Sequence, residues 1–187
     1  AAEAELSSGM FHHLFENKDV FMLEMFRHYN ITAFGRLDFA DVPDEPFARL
    51  YYAAFAIAQS VRDNLLFIER IFTDSADNIA IANEFLKSEM EERTRVIVGL
   101  LEECAAIDDG VPTATIQRLG YLSSAVIAPM VLGTRFNSMG LLSDELSRNV
   151  GALLTDEAIS QRLEWAVCAM FPSRLECVGI RPDRKKQ

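Results

Sequence analysis

The sequence predicts an all-α chain, and three observations carry that expectation. Apolar residues recur at three- and four-residue spacing through most of the 187 residues. The apolar–polar alternation that a half-buried strand needs is almost absent. Glycine and proline stand between the periodic segments, where they stop and start helices, and there are no repeats or low-complexity tracts.

In order along the chain, Ser7 is a plausible N-cap for a short helix reaching about Leu14. Asn17 caps a longer helix to about Arg36, with Asp19 in its positive first turn. Val20, Phe21, Leu23, Met25, Phe26 and Tyr29 give that helix its apolar spacing. Residues 38–46 hold two prolines and read as a loop, and Asp44 and Glu45 open a helix to about Arg62. A helix from Asn64 to Phe72 follows. Asp74 or Ser75 is then expected to cap a long helix to about Ile107, ended by Asp109 and Gly110. Pro112 and Thr113 start a helix to about Met139, kinked at Pro129. A loop around Gly151 precedes a last helix, 155–171, stopped by Pro172. The basic RPDRKKQ end reads as a solvated tail.

Half of the residues are hydrophobic and a quarter charged, which is ordinary for a globular protein. No run approaches the roughly 20 apolar residues of a membrane span. The opening AAEAEL has neither the basic flank nor the apolar core of a signal peptide. Cys104, Cys168 and Cys177 are scattered and form no C-x-x-C pair, which fits reduced thiols, so the expected location is the cytoplasm. The net charge of −10 argues against a polyanion coat but leaves room for a locally basic DNA reader.

The last two long segments carry a partner signal. Between Leu119 and Met139 apolar residues lie all round the helix, which should bury it on most sides. Gly120, Ser123, Ser124, Ala125, Ala128 and Gly133 permit close approach of a neighbour. The 155–171 segment carries Ile159, Leu163, Ala166 and Met170 on one stripe, with Trp165, Val167 and Phe171 beside it. A homodimer through the helices 113–139 and 155–171, packed as a four-helix bundle, would cover this surface; an ordinary monomeric core is the alternative.

Residues 1–23, AAEAELSSGMFHHLFENKDVFML, carry the chemistry. They read as a helix end, a tight turn, a short helix, a second turn and a third helix. Such a corner can set a short helix into the major groove. Ser7, Ser8 and Gly9 stand at its N-terminus, where backbone N–H groups and hydroxyls hold a phosphate. His12 and His13 project from its body, and Lys18 can meet the DNA backbone on the flank.

This segment resembles the end of the DNA-binding domain of TetR-type regulators, whose pattern is roughly A-x-x-A-G-V-S-x-G-x-L-Y-x-H-F-x-x-K-E-x-L. The match falls on Ala1, Ala4, Ser7, Gly9, Phe15 and Lys18, with close substitutes at Leu6, Phe11, Asp19 and Phe21. Glu5 stands where a glycine is usual. His12 replaces a tyrosine that typically contacts a phosphate, so its contact would be weaker or would depend on pH. The motif covers about the first 25 residues, and the later helix order also looks like the family's ligand-binding domain. The family's first helix and most of its second are expected before Ala1, so the full protein should be longer.

The resemblance implies a division into residues 1–30 (end of the reading head and start of the connecting helix), 31–175 (ligand-binding and dimerisation domain) and 176–187 (tail). It implies a dimeric repressor that binds operator DNA and is released by a small, largely apolar effector through a shift between two dimer geometries. A helical small-molecule-binding protein that does not read DNA is the alternative. The effector pocket is expected between Pro46 and Met139, where aromatics are dense. Tyr51, Phe55, Arg62 and Tyr121 are the candidate contacts, although aromatics at helical spacing serve equally as core. No catalytic group, cofactor or metal site is expected. His12, His13 and His28 lack ligand spacing, Glu24 and His28 are four apart rather than the three of a di-iron repeat, and there is no phosphate loop.

Overall fold

A computed structural model describes residues 14–17, 20–26, 37–110 and 112–174. Among these every regular element is helical. They are α1 (20–26), α2 (Pro46–Asp63), α3 (Leu65–Ala76), α4 (Ala80–Ile107), α5 (Thr115–Val126), α6 (Ala128–Ser138), α7 (Asp144–Asn149) and α8 (Asp156–Met170). The chain divides into two compact units. One comprises residues 37–65 and 92–187; the other comprises 1–36 and 66–91.

The larger unit is organised by α8, which packs on both α2 and α5. Local chemistry fixes these helices. Glu45 caps α2, its carboxylate accepting from the Ala48 amide at 2.7 Å, and Pro46 occupies the first turn, where an N–H is not needed. Asn64 closes the other end, donating from its side chain to the Ser60 carbonyl at 2.7 Å. Leu50, Ala53, Ala54 and Ala58 form the buried stripe between. Thr155 caps α8 by accepting from the Ala158 amide at 3.1 Å, and Asp156 and Glu157 complement its positive end. Ile159, Leu163, Ala166 and Val167 are its buried stripe. Pro172 then prevents continuation.

The expected single helix 113–139 is two, α5 and α6, bent by 44°. The break falls at Ile127, immediately before Ala128 and Pro129, because proline is accepted in the first turn of a new helix but not inside one. In the single chain this pair is covered on one side only. Leu122, Val126 and Met130 face the core, while Tyr121, Leu132, Phe136 and Met139 are exposed. No single described helix is long and apolar enough to cross a membrane.

The expected loop around Gly151 is also ordered. Ser143 caps α7 through the Leu146 amide, Asp144 and Glu145 fill its first turn, and residues Val150–Leu154 form a 3-10 turn. Leu153 packs so near Gly133 that a Cβ there would lie 2.8 Å from its Cδ1.

The smaller unit holds α1, most of α3 and the first turns of α4. Asn17 caps α1 as expected, its side-chain oxygen accepting from the Val20 amide at 2.9 Å. Phe15 and Phe21 meet edge to face at 4.9 Å across that turn. Phe26, Ile71, Ala82 and Phe85 are buried together, with Phe67 5.9 Å from Phe26 and 6.0 Å from Phe85. Neither Asp74 nor Ser75 caps the long helix. Asp74 lies inside α3, buried and paired with Arg70 at 2.9 Å one turn earlier, so its carboxylate is already satisfied. The chain turns instead at Asn78, which takes φ 59°, a conformation asparagine tolerates.

Candidate functional site

The face of α2 toward α8 carries three of the four candidate ligand contacts. Tyr51, Phe55, Gln59 and Arg62 follow one another at four, four and three residues, so helical geometry places them on one stripe. Tyr51 and Phe55 stack, centroids 6.2 Å apart and planes within 10°. The Tyr51 hydroxyl is hydrogen-bonded to Ser160 on α8. Four residues before Ser160, Asp156 accepts from Gln59 at 3.1 Å and pairs with Arg62. Rising numbers on α2 thus meet falling numbers on α8, and the two helices run antiparallel.

Arg62 is the most heavily engaged of these side chains. Its Nε donates to Asp63 at 2.8 Å, and Nη1 donates to Asp156 and, at 3.4 Å, to the Leu154 carbonyl. These carboxylate hydrogen bonds, Asp63 first, hold its pKa above the ordinary arginine value. In return Gln59 and then Arg62, by hydrogen bonding, hold the Asp156 carboxyl below its ordinary range. Arg62 sits in the last turn of α2 and Asp156 in the first turn of α8, so each charge also complements its helix end. As placed, the stripe joins α2 to α8, with aromatic faces at one end and a satisfied ion pair at the other.

Tyr121 is not brought to this stripe. It lies on the outer side of α5, 49% exposed, beside the buried Leu122. Ser7, Ser8, Gly9, His12, His13 and Lys18 lie outside the described residues. The neighbouring described residues show the Asn17 cap and the Phe15–Phe21 contact.

No family model, curated protein or solved structure matches this chain.

Three features escaped the sequence reading. The α2–α8 hydrogen bonds join residues 94 to 109 positions apart, so no local pattern could signal them. Arg118 is buried at the head of α5, donating to the Thr113 carbonyl and lying over the Phe171 ring. Arg162 on α8 donates to the Leu153 carbonyl at 2.9 Å, and burial lowers its pKa from the ordinary arginine value. Among the described residues no group of three or more His, Cys, Asp or Glu is placed to hold a metal ion.

Proposed function

We propose that this chain is a ligand-responsive DNA-binding transcriptional regulator of the TetR type, a repressor released from operator DNA by a small, largely apolar molecule. The observation that carries this reading is the run Ala1, Ala4, Ser7, Gly9, Phe15 and Lys18, set against a helix capped by Asn17. In this reading the short helix from Ser7 enters the major groove. Ser7, Ser8 and Gly9 hold a phosphate, His12 and His13 face the groove, and Lys18 contacts the backbone.

The outer surface of α5, α6 and α8 supports a homodimer. Ile116, Tyr121, Leu132, Phe136 and Trp165 are each between 41% and 69% exposed there. Apolar side chains in such number suit contact with a second copy, which would also double the reading heads. The effector contacts are assigned to Tyr51, Phe55 and Arg62, while Tyr121 stands apart on the outer side of α5. An effector that separates the Tyr51–Phe55 stack or displaces Asp156 from Arg62 would change the packing of α2 on α8. A population shift of that kind could reach DNA affinity.

Fluorescence anisotropy of the full-length protein tests the reading, using DNA from upstream of its own gene with random DNA as control. Specific binding at least about a thousandfold tighter than non-specific binding is expected. Equal, weak binding to both DNAs would favour a helical small-molecule binder that does not read that DNA.

A further inference from the structure

The larger unit contains a buried cation that the proposed function does not use. Arg118 belongs to α5 and is 6% exposed. Its Nη1 donates to the Thr113 carbonyl at 3.1 Å, and its guanidinium carbon lies 4.9 Å from the centre of the Phe171 ring. Its Nε is buried without a partner. Arg49, Arg62 and Arg70 have side chains 32%, 21% and 76% exposed, and each is paired with at least one carboxylate. The ion pairs among the described residues do not include Arg118. Arg162 is likewise absent from those pairs and has a buried, unpartnered Nε, but it donates to the Leu153 carbonyl; Arg118 is the one at a helix start.

Its position sharpens the imbalance. Helical side chains lean back toward the helix start, and the bond to Thr113 shows that this one does. That start is the positive end of the α5 dipole. The N-cap is Ala114, which supplies no side-chain hydrogen bond. The Gln117 and Arg118 amides go to the Ala114 carbonyl, whereas Thr115 and Ile116 have no intrahelical acceptor by position. A buried guanidinium is costly unless acceptors or negative charge come to it. The chain around these contacts is exposed: Thr113 and Ala114 on one side, Pro172 and Ser173 after Phe171 on the other.

We propose that Arg118 and the uncapped start of α5 form a binding site for an oxyanion, the carboxylate or phosphate group of a small ligand. The free edge of the guanidinium offers a planar fork that matches two oxygens of either group. The Thr115 and Ile116 amides supply further donors. Phe171, with Phe47 edge-on at 5.1 Å, makes the surroundings of the guanidinium apolar. The site is separate from the Tyr51–Arg62 stripe and requires no DNA, so its failure and the failure of the regulator reading are distinguishable.

The test follows the Arg118 Nε–H resonance of the full 187-residue chain by 15N–1H NMR. Sodium phosphate, acetate and octanoate are titrated against sodium chloride at matched ionic strength, with the resonance assigned from Arg118→Lys. A saturable shift with an oxyanion and none with chloride is expected. Octanoate binding more tightly than acetate would support a hydrocarbon-bearing ligand, and phosphate binding most tightly would support a phosphate source. Arg118→Met should weaken binding by at least about tenfold, the size expected for a charge-assisted hydrogen bond; if that variant fails to fold, the wild-type resonance decides. An Nε resonance indifferent to all three oxyanions overturns the proposal.

Discussion

The two units of this chain are built from different side chains. The larger buries mainly aliphatic residues, with stripes from α2, α4, α5 and α8 closing on Leu50, Leu101, Ile159 and Leu163, all fully buried. Among its buried described residues Phe171 is the one ring. The smaller unit instead gathers Phe26, Phe67 and Phe85, with Phe26 and Phe85 only 5.0 Å apart. Interdigitated aliphatic stripes make a core that tolerates little loss. A few rings with limited support make one that opens more readily. In the proposed regulator, the smaller unit carries the helix that follows the reading segment, and an easily opened element belongs there.

Deleting one buried side chain from each unit would break or sharpen this contrast. Leu163→Ala should lower stability by about 4 kcal/mol in denaturant titration, because its fully buried site leaves a cavity among rigid neighbours. Phe85→Ala should cost about 3 kcal/mol, a smaller loss if the neighbouring rings collapse into the space, and it should appear as faster amide exchange across residues 66–86. Equal costs with identical exchange patterns would remove the distinction. Trp165→Glu addresses the outer face of the larger unit. At 53% exposure its cost to the single chain should stay within about 0.5 kcal/mol, while, in the proposed homodimer, the sedimentation mass should fall from two copies of 21.0 kDa to one. An unchanged mass would remove this face from the interface.

The smallest expected effect is a pH dependence at the α2–α8 stripe. Hydrogen bonds from Gln59 and Arg62 hold Asp156 below its ordinary pKa of 3.8. The unfolded chain therefore takes up this proton first as the pH falls. The contribution is fully present above that ordinary value and is lost as pH falls through the lowered one. Asp156→Asn should flatten the acid limb of the melting-temperature profile. A limb as steep as that of the wild type would show that other carboxylates govern it.

Several caps and prolines were enough to locate an element or its break in the sequence. Asn17, Glu45 with Pro46, Thr155, Pro129 and Pro172 each act on amides or dihedrals within a few residues. The Ser143–Asp144–Glu145 start of α7 was equally legible but was overshadowed by Gly151 and the short length of the helix. Asp74 was misread because a carboxylate can cap a helix or pair one turn back, and Arg70 decides which. The candidate site was legible only on its α2 side. The stripe of Tyr51, Phe55 and Arg62 follows from spacing, but its partners Ser160 and Asp156 depend on how the chain returns. The exposure of Tyr121 depends on which side of α5 meets α8.

The most direct test of the account is the salt dependence of DNA binding by the full-length wild-type protein and Lys18→Ala, measured by anisotropy on upstream and random DNA. The account predicts tight, selective binding by the wild type. Lys18→Ala should bind both DNAs more weakly, with a salt slope shallower by about one, as expected for one lost phosphate contact. Wild-type binding without selectivity, and with the same slope in both proteins, would contradict it.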